Sequence, residues 1–250
     1  MVAVTERRLE WEGCLNVRDL GGHPTEDGGV TRMGAIVRAD SVRKLTPAGW
    51  EALVAYGIRT IVDLRLASEL AEDPPVEAPV EVVHTSFFHE IPLEEQIAIA
   101  ARWLEAPDDV SATRDGYLEM LERNSENVAA AIAAVARAGE GGVLIQCAGG
   151  KDRTGLVAAL LLRLAGVPVD EISADYGLSA ENLRSSWGEW VDAAGDDSER
   201  ELRRRLSASP AEAMAQVLEE LERRHGSVRR YLLDAGVSEA ELERAAARLR

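Results

Sequence analysis

One cysteine and one arginine, six positions apart, lie in a loop rich in glycine. The loop runs from Cys147 to Gly155 in the order Cys-Ala-Gly-Gly-Lys-Asp-Arg-Thr-Gly. A free thiol has a pKa of about 8.5, and a helix N-terminus or a neighbouring Arg makes a thiol more acidic and hence more nucleophilic. The planar guanidinium of Arg153 can donate to two oxygens of one phosphate group. These residue types indicate attack by sulfur on a phosphate ester.

A Cys and an Arg six positions apart are weak evidence for an anion-binding loop. The elements predicted around the loop strengthen this evidence. Arg fills 26 of 250 positions, and the other cysteine, Cys14, has Leu20 at the same offset. Residues 143–147 predict a buried strand, and residues 154–165 predict a helix that is apolar nearly all round and therefore internal. When a strand, a glycine-containing loop and the first turn of a helix follow one another, the loop N–H groups and the positive end of the helix point at one spot. That spot suits an anion the size of phosphate.

The rest of the chain alternates predicted strands with predicted helices and becomes helical near its end. Strands are expected at 34–38, 58–65 and 80–88, and helices are expected from Thr46 to Gly57 and at 117–138. This order predicts an α/β fold with a parallel central sheet, flanked by helices and followed by a helical C-terminal extension at about 170–250. No linker is evident, so we expect a single domain over residues 1–250.

The composition excludes several classes of protein. The chain has 28 Lys+Arg against 44 Asp+Glu and a formal net charge of −16, which argues against nucleic acid as a partner. The longest apolar run, residues 156–162, is too short to cross a membrane, and the N-terminus lacks the apolar stretch of a signal peptide. Two cysteines cannot form a disulfide framework, so we expect a cytoplasmic protein. Sulfur chemistry of this kind needs no metal and no cofactor.

The loop sequence resembles that of a known family. Cys-x5-Arg-Thr is similar to the phosphate loop of cysteine-dependent phosphatases. The fuller Gly-Lys-Asp-Arg-Thr-Gly resembles the microbial tyrosine and phosphoinositide phosphatases related to a secreted mycobacterial enzyme. Further similar segments lie at 16–22, 63–65, 226–232 and 234–236, so the resemblance spans nearly the whole chain. It implies a phosphatase fold, a phosphocysteine intermediate and a phosphorylated protein or a phosphoinositide as substrate.

The loop residues have distinct expected roles. The resemblance implies that Cys147 is the nucleophile, that Arg153 clamps the phosphate, and that Lys151 adds positive charge favouring substrates such as phosphoinositides. From its chemistry, Thr154 can donate its hydroxyl to the sulfur when the cysteine is the leaving group. Gly149, Gly150 and Gly155 are expected to allow tight turning and close backbone approach. The other expected substrate-binding positions are Ala148, Gly149 and Gly150.

Two positions depart from the family pattern. Gln146 stands where the family usually has His. Gln can still hydrogen-bond the loop, but it supplies no cation. Related enzymes also place an acidic Asp after the strand predicted at 80–88, and this chain has none there. The general acid therefore has three candidates, Asp152, Glu90 and His89. Asp152 is favoured because it is part of the loop itself.

Other residues with chemical potential have ordinary structural explanations. Asp63 and Arg65 follow a predicted strand, and we expect them to form a structural ion pair. Arg18 and Asp19 are expected to support the fold. Cys14 is expected to be inert.

Two further readings compete with a phosphatase. The first is a phosphatase-like module that binds phosphorylated ligands but turns them over poorly, which Gln146 and the missing Asp motivate. The second is another anion-binding loop. Rhodanese-type loops have a shorter Cys-to-Arg interval, and low-molecular-weight phosphatases carry theirs at the N-terminus. A nucleotide-binding loop would need Gly at Ile145 and Ser or Thr at Asp152.

Overall fold

A single twisted sheet organises the protein. The computed structural model describes residues 7–72 and 77–250, and within them the sheet order is β1-β2-β5-β3-β4. Neighbouring strands from β2 to β4 pair in parallel, and β1 is antiparallel to β2. The strands are β1 (Arg18–Asp19), β2 (Ile36–Ala39), β3 (Ile58–Asp63), β4 (Glu81–His84) and β5 (Gly142–Gln146). The predicted parallel central sheet is confirmed.

Helices flank this sheet and make up the C-terminal part, as predicted. A short 3-10 helix, Val42–Lys44, follows β2. The α-helices of the described residues are α1 (Pro47–Tyr56), α2 (Ala67–Glu72), α3 (Leu93–Glu105), α4 (Asp109–Arg123), α5 (Ser125–Arg137), α6 (Asp152–Leu164), α7 (Val169–Asn182), α8 (Arg184–Asp192), α9 (Asp197–Ser207), α10 (Ala211–His225), α11 (Val228–Asp234) and α12 (Glu239–Leu249). None of them is both long and apolar enough to span a membrane.

Local signals set several helix ends. The Thr46 side chain accepts a hydrogen bond from the backbone N–H of Gly49, and Gly57 ends α1 with a left-handed φ of 102°. The prediction of a single helix at 117–138 is wrong, because the helix is interrupted at Asn124. The segment belongs to two helices, α4 and α5. At the break, the Asn124 side-chain amide donates to the Met120 carbonyl and caps the end of α4.

The centre of the fold is β5 with the helix that follows it. Every residue of β5 is buried, because the strand lies between β2 and β3 and is covered on both faces. Leu144 packs in a cluster with Leu53 of α1, whereas Val143 and Ile145 pack in the larger cluster that contains α6. Helix α6 in turn contacts α5, α7 and α12. The segment between β5 and α6 is therefore held at both ends by the core.

Candidate active site

Cys147 lies directly after β5, on the wall of a cavity of about 640 Å³. Its side chain is buried, and the loop residues that share the cavity wall with it are Ala148, Gly149, Asp152 and Arg153. The predicted nucleophile, the predicted phosphate clamp and the favoured acid thus meet at one cavity. Gly150, Lys151 and Thr154 are not among the residues that line it.

Two glycines permit the loop to pack against its neighbours. Gly150 has a left-handed φ of 64°, and a Cβ there would lie 2.4 Å from the backbone of Ala39 at the end of β2. A Cβ at Gly155 would approach the Tyr176 ring to 3.2 Å and the Arg38 guanidinium to 3.3 Å. Any side chain at either position would push the loop away from β2 or from α7. The glycines therefore set the shape of the loop.

The guanidinium of Arg153 is paired with a carboxylate from α2. Both of its terminal nitrogens donate to Glu69, with Nη2 at 2.9 Å from Oε1, and the guanidinium also lies over the Phe88 ring. Burial alone would lower the pKa of Arg153, but the nearby Cys147 and Glu69 outweigh it and raise that pKa. Arg153 is thus a permanent cation at the cavity wall. Nothing in the sequence of α2, a short polar helix, singles out Glu69.

Lys151 does not line the cavity, whereas the resemblance implied that its positive charge favours the substrate. Its side chain is fully buried, and its Nζ lies 2.9 Å from the Ala208 carbonyl oxygen and 2.7 Å from Asp152 Oδ1. The ammonium also lies over the Trp187 ring, 5.3 Å from its centroid. Burial lowers the pKa of Lys151, but Asp152 and other neighbours outweigh it and raise that pKa. The lysine that does line the cavity is Lys44, the only other lysine of the chain.

Asp152 stands at the start of α6 in a hydrogen-bonded chain. The Tyr117 hydroxyl donates to Asp152 Oδ1 at 2.6 Å, and the hydroxyl of Tyr176 lies 2.8 Å from that of Tyr117. Burial and the neighbouring Asp152 raise the pKa of Tyr117 well above its usual value, so Tyr117 remains a neutral donor. The Asp152 side chain is still about one-third exposed, at 36%. The Asp152 carboxylate can therefore face the cavity while it is hydrogen-bonded to the Tyr117 hydroxyl.

The other two candidates for the general acid lie elsewhere. His89 and Glu90 are exposed and line a neighbouring cavity of about 580 Å³, on which Cys147 does not lie. The backbone N–H of His89 donates to Asn124, and the Glu90 carboxylate accepts from the Ser68 N–H at 3.1 Å. The structure does not bring either side chain to the sulfur.

Gln146, the residue before the loop, makes a contact that differs from the expected one, and Thr154 within the loop makes no side-chain hydrogen bond to the described residues. The Gln146 side chain accepts from the Val42 N–H at 2.7 Å, so it anchors the 3-10 helix after β2 and makes no hydrogen bond to the loop. The Thr154 hydroxyl is buried and has no hydrogen-bond partner among the described residues. Its donation to the sulfur therefore stays a prediction for the reacting state.

The residues expected to be structural behave so. Asp63 and Arg65 are both buried and form an ion pair of 2.7 Å. Asp19 accepts from the N–H groups of Gly21 and Gly34 at 2.6 Å each and fixes the turns around β1. Burial raises the pKa of the Cys14 thiol far above its usual value, which makes that cysteine a poor nucleophile.

Aromatic and aliphatic side chains also line the cavity. They come from the segment before α3, from α3 and α4, and from the region of α8 and α9: Phe88, Ile99, Trp103, Met120, Leu183, Trp187, Trp190, Leu202 and Leu206. The site therefore combines a sulfur and a guanidinium with a broad apolar surface on the wall of one cavity. Such a cavity suits a phosphate group attached to an apolar, ring-containing body.

Comparisons with known proteins identify the family of this chain. The model of the tyrosine phosphatase family matches residues 9–250. A tyrosine-protein phosphatase of Nostoc commune is 31% identical over 226 residues, which cover 86% of this chain and 74% of the relative. The triple specificity protein phosphatase PtpB of Mycobacterium tuberculosis is 28% identical over 269 aligned positions, covering 94% of this chain and 96% of the relative. The chain belongs to the tyrosine phosphatase family and is a phosphoric monoester hydrolase of the protein-tyrosine-phosphatase type.

Proposed function

We propose that this protein hydrolyses phosphotyrosine in proteins through a phosphocysteine intermediate. The observation that carries the proposal is the shared cavity of about 640 Å³, whose wall contains Cys147 and Arg153 together with several aromatic side chains. The cavity is wide enough for an aryl phosphate, and the guanidinium is positioned by Glu69 to bind two phosphate oxygens. The names of the relatives, a tyrosine-protein phosphatase and a triple specificity phosphatase, support the same reaction class.

In the first step, the Cys147 sulfur attacks phosphorus and the bond from phosphorus to the aryl oxygen breaks. Asp152 gives a proton to the departing oxygen, while Arg153 stabilises the equatorial oxygens. In the second step, water attacks the phosphocysteine, Asp152 accepts a proton, and inorganic phosphate leaves with the free thiolate restored.

The decisive experiment compares the wild type with Cys147→Ser on 4-nitrophenyl phosphate and on a panel of phosphopeptides and phosphoinositides, in the presence of a chelator. We expect turnover by the wild type, inhibition by vanadate and no turnover by the variant. Trapping of a radiolabelled phosphoenzyme by acid quench would identify the covalent intermediate. Turnover that persists in Cys147→Ser would disprove the mechanism, and a panel in which phosphoinositides exceed phosphotyrosine peptides would disprove the proposed substrate.

The alternative is a binding module with little catalysis. It predicts tight binding of phosphorylated ligands by the wild type with negligible turnover between about pH 5 and 8. Measurable turnover of any phosphopeptide at an ordinary enzymatic rate would dismiss it. The phosphopeptide assay in the presence of a chelator measures this turnover.

A further inference from the structure

We propose that Asn16 and Arg38 are positioning residues that hold the carbonyl groups of the phosphate loop away from the cavity. The loop N–H groups then face the phosphate. The inference rests on the proposed function, because it concerns how the loop binds the phosphate of the substrate. Neither residue lines the cavity, and both are buried.

Asn16 contacts the loop directly with its side-chain amide. Its Nδ2 donates to the carbonyl oxygens of Gly149 and Gly150, both at 3.1 Å. Its Oδ1 accepts from Arg18 Nη1 at 2.6 Å and from Asn182 Nδ2 at 3.2 Å. Both hydrogens of the amide group and its oxygen are therefore engaged, which leaves only one orientation of the side chain that satisfies all four contacts.

Arg38 holds the same stretch of loop from the central sheet. It lies on β2, and its Nη2 donates to the carbonyl oxygen of Gly150 at 2.8 Å and to that of Lys151 at 3.4 Å. Its Nη1 donates to Asp175 Oδ2 on α7 at 2.9 Å. The guanidinium is thus fixed between a helix and the loop, and it faces the loop with donors only.

These contacts determine where the loop N–H groups point. In a planar trans peptide, the N–H of one residue points opposite to the carbonyl of the residue before it. Holding the carbonyls of residues 149–151 on the side of β1 and β2 therefore turns the N–H groups of residues 150–152 to the opposite side. Within the described part of the chain, the N–H groups of residues 148–151 donate to no protein acceptor. They remain available to the oxygens of a phosphate.

A second set of contacts keeps the two positioning residues in place. Arg18 donates to Asp175 Oδ1 at 3.0 Å, to the Asp175 carbonyl at 2.8 Å and to the Ser179 hydroxyl at 3.0 Å. Asp175 thereby joins Arg18 and Arg38, and Arg18 joins Asp175 to Asn16. The loop geometry is in this way tied to β1, β2 and α7 together, and the Asn16 contacts can be tested without removing the ion pairs.

The test uses Asn16→Asp, which has nearly the same shape. An aspartate would keep a stronger contact with Arg18, but it would present oxygen instead of N–H to the two loop carbonyls. If Asn16 only fills space or pairs with Arg18, this variant retains full binding. If it positions the loop, binding of the anion tungstate, measured by calorimetry, weakens by about tenfold or more, and Asn16→Ala weakens it less. The KM for 4-nitrophenyl phosphate should also rise in Asn16→Asp.

A matched control is Ser179→Ala, which removes one Arg18 contact and leaves every contact to the loop. We expect tungstate affinity within about twofold of the wild type, and circular dichroism with thermal unfolding establishes that each variant is folded. Arg38→Lys, which keeps a cation beside Asp175 but cannot donate from two nitrogens in the same plane, should also weaken tungstate binding.

The outcomes separate the two proposals. A wild type that neither binds tungstate nor turns over phosphate esters would disprove the proposed function. A wild type that does both, with a folded Asn16→Asp variant of unchanged affinity, would overturn the positioning role alone. Equal losses in Asn16→Asp and Ser179→Ala would overturn it as well, because they would indicate a general loss of packing.

Discussion

The carboxylate of Glu69 on α2 meets both terminal nitrogens of Arg153, with Oε1 at 2.9 Å from Nη2. Glu69 is itself held by the backbone N–H of Leu66, which donates to Oε2 at 2.7 Å. The side chain proposed to bind phosphate is thus held by a residue that lies 84 positions earlier in the chain. This pairing leaves the remaining N–H donors of the guanidinium for a substrate.

Glu69→Gln should weaken phosphate binding more than it slows the chemical step. Glutamine keeps the shape of the side chain but removes its charge, so Arg153 loses a charged acceptor and is held less firmly. We expect the KM for 4-nitrophenyl phosphate and the inhibition constant of vanadate to rise about fivefold, which corresponds to about 1 kcal/mol. Glu72→Gln, at the exposed end of the same helix, is the control. Equal kinetics in the Glu69 variant and the wild type would contradict the expectation.

Asp152→Asn should produce a defect that depends on the leaving group. A departing nitrophenolate needs little protonation, whereas the oxygen of tyrosine needs a proton from the acid. The loss of kcat/KM should therefore be small for 4-nitrophenyl phosphate and about 100-fold or more for phosphotyrosine. Steady-state kinetics over a series of aryl phosphates gives the dependence. A uniform loss across the series would remove Asp152 from this role, and the same series on Glu90→Gln provides the comparison.

Asp175→Asn should strongly destabilise the fold at neutral pH. Burial would raise the pKa of Asp175, but Arg18, Arg38 and other neighbours outweigh it and lower that pKa well below its usual value. Removing the charge leaves buried guanidiniums without their partner, so we expect the free energy of unfolding to fall by about 3–5 kcal/mol. Urea unfolding measures this change. Asp170→Asn, exposed on the same helix, should have little effect.

The loss of stability caused by Asp175→Asn should depend on pH. A carboxyl group whose pKa is depressed in the folded state stabilises the protein above its unfolded pKa of about 3.9, and this contribution is lost as the pH falls toward the folded value. The difference in stability between the wild type and Asp175→Asn should therefore be constant at neutral pH and shrink below about pH 4. A difference that grows on acidification would contradict the assignment.

Lys44→Met should alter preference among substrates. Lys44 and Arg153 are the cationic residues on the cavity wall, and the Lys44 ammonium lies 3.8 Å from Asp40, beyond hydrogen-bond distance. It can therefore turn toward an acidic residue that flanks phosphotyrosine. We expect kcat/KM for acidic phosphopeptides to fall about threefold to tenfold at low salt, while 4-nitrophenyl phosphate, which has no second anion, is unaffected. Equal losses for both substrates would disprove this selectivity.

Local patterns foretold much of the fold. The alternation of strands and helices, the apolar strand before Cys147 and the apolar helix after it are properties of contiguous segments. Strand ends were less accurate: the strand expected at 58–65 ends at Asp63, because the Asp63 carboxylate accepts from the Arg65 N–H at 3.1 Å and turns the chain. The break at Asn124 was missed for a similar reason, since one side-chain amide caps the end of α4.

The sequence alone was enough to propose the chemistry of the loop, because the expected nucleophile, the expected phosphate clamp and the glycine turns lie within nine consecutive residues, from Cys147 to Gly155. Only the tertiary structure decided which distant side chains act on that loop. It pairs Arg153 with Glu69, turns Lys151 away from the cavity toward Ala208, and brings Asn16 beneath the loop. Such contacts join segments separated by 57 to 134 residues. They depend on how the sheet and helices pack, and no local pattern encodes that packing.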